Sequence, residues 1–202
     1  MPPVTGDATR ERIIDAAEVC FGRFGVAKTT VEDIAAAAKL SRATVYRSVT
    51  GGRDELILAV VVRDLRRFLD RLAERLRRER SVSEAIVEGT LDAVNYVREE
   101  PAIAHFLVPE AAGHMQAAVA GAAEPVLALC CEYVRPYFDQ AQRQRTLRAD
   151  IEVEGTVEFL FRIITSLIVM DRDRDADGLR RFLRTYVVPV IAAPASGRTV
   201  SA

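Results

Sequence analysis

The sequence predicts an all-α fold of about nine helices, three short ones at the N-terminus followed by a larger helical region. Three observations predict it. Almost every periodic segment spaces its apolar residues three and four apart, and no stretch alternates as a half-buried strand would. Segment boundaries carry the Ser, Thr, Asp and Gly signals of helix ends. Half of the 202 residues are hydrophobic and 28% are charged, which suits one or two domains with a sizeable core.

Residues 9–24 place Ile13, Ala17, Cys20, Phe21 and Phe24 on one stripe, the pattern of a core-facing helix. Gly25 falls where a helix ends in a residue of positive φ. "TTVEDIAAAA" opens the second helix, with Thr30 accepting from the amide of Asp33 in a variant capping box. Leu40 and Ser41 break the chain, and Ser41 caps a third helix from Arg42 to about Val49. A long helix runs from Asp54 to about Arg80, with Leu58, Val61, Val62, Leu65, Leu69, Leu72 and Leu76 on one face. "SVSE" at 81–84 is another capping box, starting a helix through about Glu99. Pro101 opens the short helix "PAIAHFL", and Pro109 and Gly113 punctuate the residues after it. Residues 124–143 read as helix, kinked or ended by Pro136. Residues 152–170 are apolar nearly all round, and 178–192 form an amphipathic helix capped by Asp177. The expected organisation is an N-terminal domain over 1–53, a larger helical domain over 54–192, and a Pro/Ala/Ser/Gly tail over 193–202.

Several function classes lack their signatures. No uncharged apolar run approaches the ~18 residues of a membrane span, so no membrane partner is expected. The opening "MPPVTGDATRER" has no apolar h-region, and Cys130 and Cys131 are adjacent, so a reducing cytoplasm fits. His105 and His114 have no acid completing a metal triad, and read as core or pocket-rim residues. "DRDRDADG" at 171–178 contains the opening of a calcium loop, but its twelfth position is Arg184 where a Glu is needed. "GGR" at 51–53 lacks the pattern of a nucleotide-binding loop, and stands as either a hinge or a tight helix start. No nucleophile–base pair or carboxylate dyad stands out. The chain is therefore expected to be no enzyme, with no catalytic residue, metal or cofactor. Residues 57–80 hold eight arginines against four acids, while 81–202 hold twelve against seventeen. Any phosphate binding must then come from the placement of a few cations and not from bulk charge.

The second and third helices, separated by a short turn, match a helix-turn-helix. Ala35 is small where the two must approach, and Ile34, Leu40, Val45 and Val49 can close a core with the first helix. Burying that face leaves Arg42, Ala43, Tyr46 and Arg47 outward. In a major groove Arg42 would lie over base edges, where a guanidinium bonds guanine bidentately. Tyr46 suits a phosphate or a thymine methyl, and Thr30, Ser41 and Thr44 can donate to phosphates.

The stretch from about Thr9 to Leu58, "RIIDAAEVCFGRFGVAKTTVEDIAAAAKLSRATVYRSVTGGRDEL" at its heart, resembles the DNA-binding domain of the TetR (tetracycline repressor-like) family of bacterial regulators. Lys39 stands where the family usually has a turn glycine, and adds a cation near DNA. Ser48 and Val49 replace larger residues, and Arg53 is the natural substitute for the family's phosphate-binding lysine at the start of helix four. The resemblance implies a homodimer that binds double-stranded operator DNA and, as a repressor, is released from a pseudo-palindromic site by a small-molecule effector. The alternatives are an activator, or an all-α binding protein or enzyme with a vestigial helix-turn-helix.

The nearly all-apolar helix over 152–170 needs cover on both sides, and the final helix offers Leu179, Phe182, Leu183 and Tyr186. With Phe161, Ile164 and Ile168 these form the four-helix dimer interface that the resemblance implies, the alternative being the central helix of a monomeric bundle. An apolar effector pocket is expected from Phe68, Leu72, Leu91, Val94, Phe106, Met115, Phe159 and Ile163, with Tyr96 or His105 as polar anchor. The same residues could equally be ordinary core.

Overall fold

Helices form wherever the sequence spaces apolar residues three and four apart in the computed structural model, which describes residues 6–99, 115–170 and 174–194. In chain order they are α1 (Gly6–Phe24), α2 (Val31–Ala37), α3 (Arg42–Ser48), α4 (Gly52–Leu76), α5 (Val82–Glu99), α6 (Met115–Arg143), α7 (Val153–Val169) and α8 (Ala176–Phe182). A π-helical turn, Leu183–Val187, joins α8 to α9 (Val188–Ile191). Pro189 has no N–H to continue an α-helical ladder, and the widened turn lies just before it. No strand occurs among the described residues, only an isolated antiparallel bridge between Leu147 and Ala192. The short helix expected after Pro101, with Pro109 and Gly113, lies outside the described residues.

The chain divides into two compact units, Met1–Arg67 with Val97–Ala123, and Phe68–Tyr96 with Glu124–Ala202. In the first, Ile13, Ala17, Cys20 and Phe21 of α1, Ile34 and Ala35 of α2, Val45 of α3, and Leu56, Ile57 and Val60 of α4 are all buried, and α1, α2 and α3 contact one another. Phe24 departs from the expected stripe. It is 44% exposed, and the Arg23 guanidinium lies 5.1 Å from its ring centroid. Arginines fasten α4 to α1: Arg63 bonds Asp15 at 2.6 Å and pairs with Glu18, and Arg67 reaches Glu18 at 3.0 Å.

The second unit closes over Val87, Leu91, Val94, Phe138, Val153, Val157, Leu179, Leu183, Val187 and Ile191. Polar ties connect its helices. The Tyr137 hydroxyl donates to the Ala73 carbonyl at 2.7 Å, and Arg180 binds Glu88 at 2.8 Å. That guanidinium, through its hydrogen bond first and its charge second, holds the Glu88 carboxyl below the usual carboxylate range. Burial pushes the Cys130 thiol up to about 12, so it stays protonated and inert at neutral pH.

Several element boundaries differ from the sequence reading: α1 starts at Gly6, α4 at Gly52 and α6 at Met115, each earlier than expected. α4 stops at Leu76, because Arg77, Arg78 and Arg80 have no apolar stripe to bury and are exposed. Pro136 does not end α6; it is exposed, and α6 continues to Arg143. The last helix is capped by Asp175, not Asp177, its carboxylate accepting from the Gly178 amide at 2.7 Å.

Candidate nucleic-acid interface

Two local caps set the geometry of the helix-turn-helix. At the head of α2 the Thr30 hydroxyl accepts from the Asp33 amide at 3.2 Å, while the Asp33 carboxylate accepts from the Thr30 amide at 2.9 Å and from its hydroxyl at 2.6 Å. Those bonds hold Asp33 below its ordinary pKa. At the head of α3 the Ser41 hydroxyl accepts from the Thr44 amide at 3.2 Å. Between them Lys39 adopts φ 53°, the left-handed region that a glycine takes at no steric cost.

Arg12 of α1 holds this turn from behind. Its guanidinium donates to the Ala38 carbonyl at 2.8 and 3.1 Å and to the Lys39 carbonyl at 3.3 Å, satisfying acceptors that the end of α2 leaves open. Arg10 bonds the Ser48 carbonyl at 3.3 Å and the Glu55 carboxylate at 2.7 Å, joining the end of α3 to the start of α4. Glu55 also accepts from the Gly51 amide at 2.8 Å, the largest influence holding its carboxyl below the ordinary value. A side chain at residue 51 would collide with Glu55, its Cβ meeting the Glu55 Cβ at 2.9 Å, and Gly52 has φ 63°. The two glycines therefore make a tight helix start, with α4 beginning at Gly52.

Val45 is 1% exposed and fixes the rotation of α3 against the core. Ser41, Arg42, Ala43, Tyr46 and Arg47 are then exposed together, Tyr46 at 48%, with Thr44 half-buried beside them. Thr30 and Lys39 are exposed at the head and the tail of α2. The arrangement offers two guanidinium groups, an amphipathic phenol and hydroxyls along one helix face, the chemistry that meets base edges and phosphates.

Arg53 is placed otherwise than expected. Its guanidinium turns to the α1–α2 loop, donating to the Thr29 carbonyl at 3.1 Å and to the Val26 carbonyl, because that loop leaves carbonyls without helical partners. Arg42 is ion-paired with Glu32 of α2. The sequence reading missed Arg10, Arg12, Glu32 and Glu55. Helical spacing shows that they are polar and outward, but not which distant group each one reaches.

In the second unit Phe68 and Tyr96 stack, with ring centroids 4.2 Å apart and planes within 8°. Leu91 and Val94 are buried in the core, Phe159 and Ile163 pack against it, and Leu72 is half-buried. His105 and Phe106 lie outside the described residues, as does His114, and of Met115 only the helical backbone is described. Of the expected interface residues, Phe161, Ile164, Ile168 and Phe182 are half-buried and Tyr186 is 65% exposed. Leu179 and Leu183 are corrections: they point into the unit's own core, 5% and 0% exposed. Val169, Met170 and Val190, which the sequence reading did not single out, are exposed at 50%, 66% and 44%. Among the described residues no cluster of His, Cys, Asp or Glu could hold a metal ion, and no helix is long and apolar enough to cross a membrane.

Residues 13–60 match a family model described as bacterial regulatory proteins, tetR family. Over 191 residues the chain is 29% identical to an uncharacterised HTH-type transcriptional regulator of Mycobacterium tuberculosis, covering 92% of this chain and 86% of that one. Among solved structures it is similar to a TetR-family transcriptional regulator from Pectobacterium atrosepticum, with a TM-score of 0.72 and 18% identity over 96% of this chain and 100% of that one. It is also similar to RolR in complex with the ligand resorcinol, with a TM-score of 0.71 and 18% identity over 89% and 87% of the two chains. At such identities the structural likenesses speak for the fold.

Proposed function

We propose that the chain is a TetR-family transcriptional regulator and that it acts as a homodimeric repressor released from a pseudo-palindromic operator by a small, largely apolar effector. The observation that carries the DNA-binding reading is the outward face of α3. Val45 anchors the helix from below and the Ser41 cap fixes its start, so Arg42, Tyr46 and Arg47 project together. Arg42 reads a base edge, Tyr46 and Arg47 meet base or backbone, and Thr30, Lys39, Ser41 and Thr44 address phosphates.

The homodimer is supported by apolar surface on the second unit, where Val169, Met170, Tyr186 and Val190 are left in water by a single chain. Two recognition helices of a dimer enter successive major grooves when they stand about 34–36 Å apart, or a multiple of that. α4 supplies residues to both units, as α5 and α6 also do, and because it directly follows α3 in the chain it is the helix through which an effector held in the second would alter that spacing. The effector acts only by binding the released state more tightly, with a coupling of ~1–3 kcal/mol. The apolar character of Phe68, Leu72, Phe159 and Ile163 is what supports an apolar ligand, and the RolR complex contains resorcinol, itself a small aromatic.

Fluorescence anisotropy with DNA from upstream of the protein's own reading frame tests the reading. Affinity should fall steeply with salt. Tyr46→Ala should weaken binding to all sequences, and Arg42→Ala should relax base preference by about tenfold. Wild-type affinity and specificity in both variants would contradict the assignment of α3.

A further inference from the structure

The ion pair between Arg42 and Glu32 joins the first residue of α3 to the first turn of α2, on the surface assigned to DNA. Both side chains are open to solvent, 61% exposed for Arg42 and 48% for Glu32. From Thr30 to Ser48 the sequence carries only two acids, Glu32 and Asp33. Asp33 is spent on the α2 cap, where it receives both the amide and the hydroxyl of Thr30. Glu32 takes no part in that cap, and its carboxylate meets Arg42 instead.

A carboxylate at the front of a DNA-binding face is repelled by phosphates, so it weakens binding unless something on the DNA compensates. We propose that Glu32 is a specificity-determining residue that acts jointly with Arg42 to select a G·C step, an inference that rests on the DNA-binding reading of α3. At a random sequence Arg42 exchanges one anion for another, a carboxylate for a phosphate, and leaves Glu32 facing the backbone. Little is gained. At a cognate sequence Arg42 bonds O6 and N7 of guanine, and Glu32 accepts from the N4 amino group of a neighbouring cytosine. Only that combination keeps both charged groups satisfied once the ion pair opens. The pair thus lowers affinity for bulk DNA and reserves it for sites that offer guanine and cytosine edges together.

The test uses the full-length chain and two probes: a duplex selected by the wild-type protein from a randomised pool, and a scrambled duplex of the same composition. Glu32→Gln removes the charge from a solvent-exposed side chain and leaves the Thr30–Asp33 cap in place. It should tighten binding to the scrambled duplex by about three- to tenfold and steepen the salt dependence by about one. A new selection with Glu32→Gln should lose the cytosine preference at one position of each half-site. In an Arg42→Ala background the same substitution should no longer change the ratio of selected to scrambled affinity. An unchanged ratio and unchanged selected sequence in Glu32→Gln overturn the inference, as does an equal effect with and without Arg42. A wild-type chain that enriches no duplex overturns the DNA-binding reading itself, and this inference with it.

Discussion

Both units are tied internally by side chains far apart in sequence, Arg63 to Asp15 and Arg12 to Ala38 among them in the first, but they differ in what sets the surface they present. Around the helix-turn-helix the helix caps are local. Thr30 meets Asp33, Ser41 meets Thr44 and Gly51 meets Glu55, each within four residues. The second unit depends on groups far apart in sequence. Arg180 binds Glu88 across 92 residues, Tyr137 reaches Ala73 across 64, and Leu183 is buried among side chains from α5, α6 and α7. Local contacts can fix a recurring surface whatever surrounds it. Long-range packing is specific to each chain, and whatever site it forms is equally particular.

The largest expected effects test whether the units are independently cooperative. Ile34 and Leu183 are both 0% exposed, and truncating either to alanine should cost ~2–5 kcal/mol. Hydrogen exchange should then accelerate in α1–α3 for Ile34→Ala and in α7–α8 for Leu183→Ala, each leaving the other region protected. Acceleration throughout the chain in both variants would erase the distinction. Arg12→Ala comes next. It opens the acceptors at the end of α2 and should cost ~1 kcal/mol in urea unfolding, since the guanidinium is partly solvated.

A smaller change sharpens the role of the turn. Lys39→Gly relieves the left-handed backbone but adds unfolded-state entropy, for a net gain of roughly 0.5 kcal/mol. The same substitution removes a cation, so the salt slope of DNA binding should shrink by about one. Stability and affinity thus move in opposite directions, and a joint rise would remove Lys39 from the DNA surface.

The smallest effect is one of pH. The folded-state pKa of Glu55 lies below its ordinary value of 4.5, chiefly through the Gly51 amide and then through Arg10. Its contribution is present above about 4.5 and is lost as pH falls toward the depressed folded value. Glu55→Gln should therefore flatten the wild-type loss of stability in that acid range and leave its shape above about pH 6 unchanged, as read by thermal unfolding across pH.

Much of the first unit was legible in the sequence because its signals are short. Gly25, Thr30, Ser41 and the Val45 anchor all stand where the spacing places them, and Lys39 takes the positive φ that the turn requires. Arg53 was not legible: the resemblance implies a phosphate contact at that position, but two loop carbonyls lie within its reach. In the second unit the helices were legible and their faces only partly so. Leu179 and Leu183 share an amphipathic helix with Phe182 and Tyr186, and periodicity alone does not say which side meets the chain's own core. Pro136 was read as kinking or ending its helix, and α6 continues past it to Arg143: a proline alone does not say whether a helix stops there.

Selection of bound fragments from genomic DNA tests the central claim most directly, with the wild-type chain beside an Arg42→Ala, Tyr46→Ala double variant. The wild type should enrich a pseudo-palindrome whose half-site centres lie about one helical turn, roughly 10–10.5 base pairs, or a multiple apart. The double variant should enrich nothing above background. No enrichment by the wild type, or the same sites recovered by both chains, would contradict it.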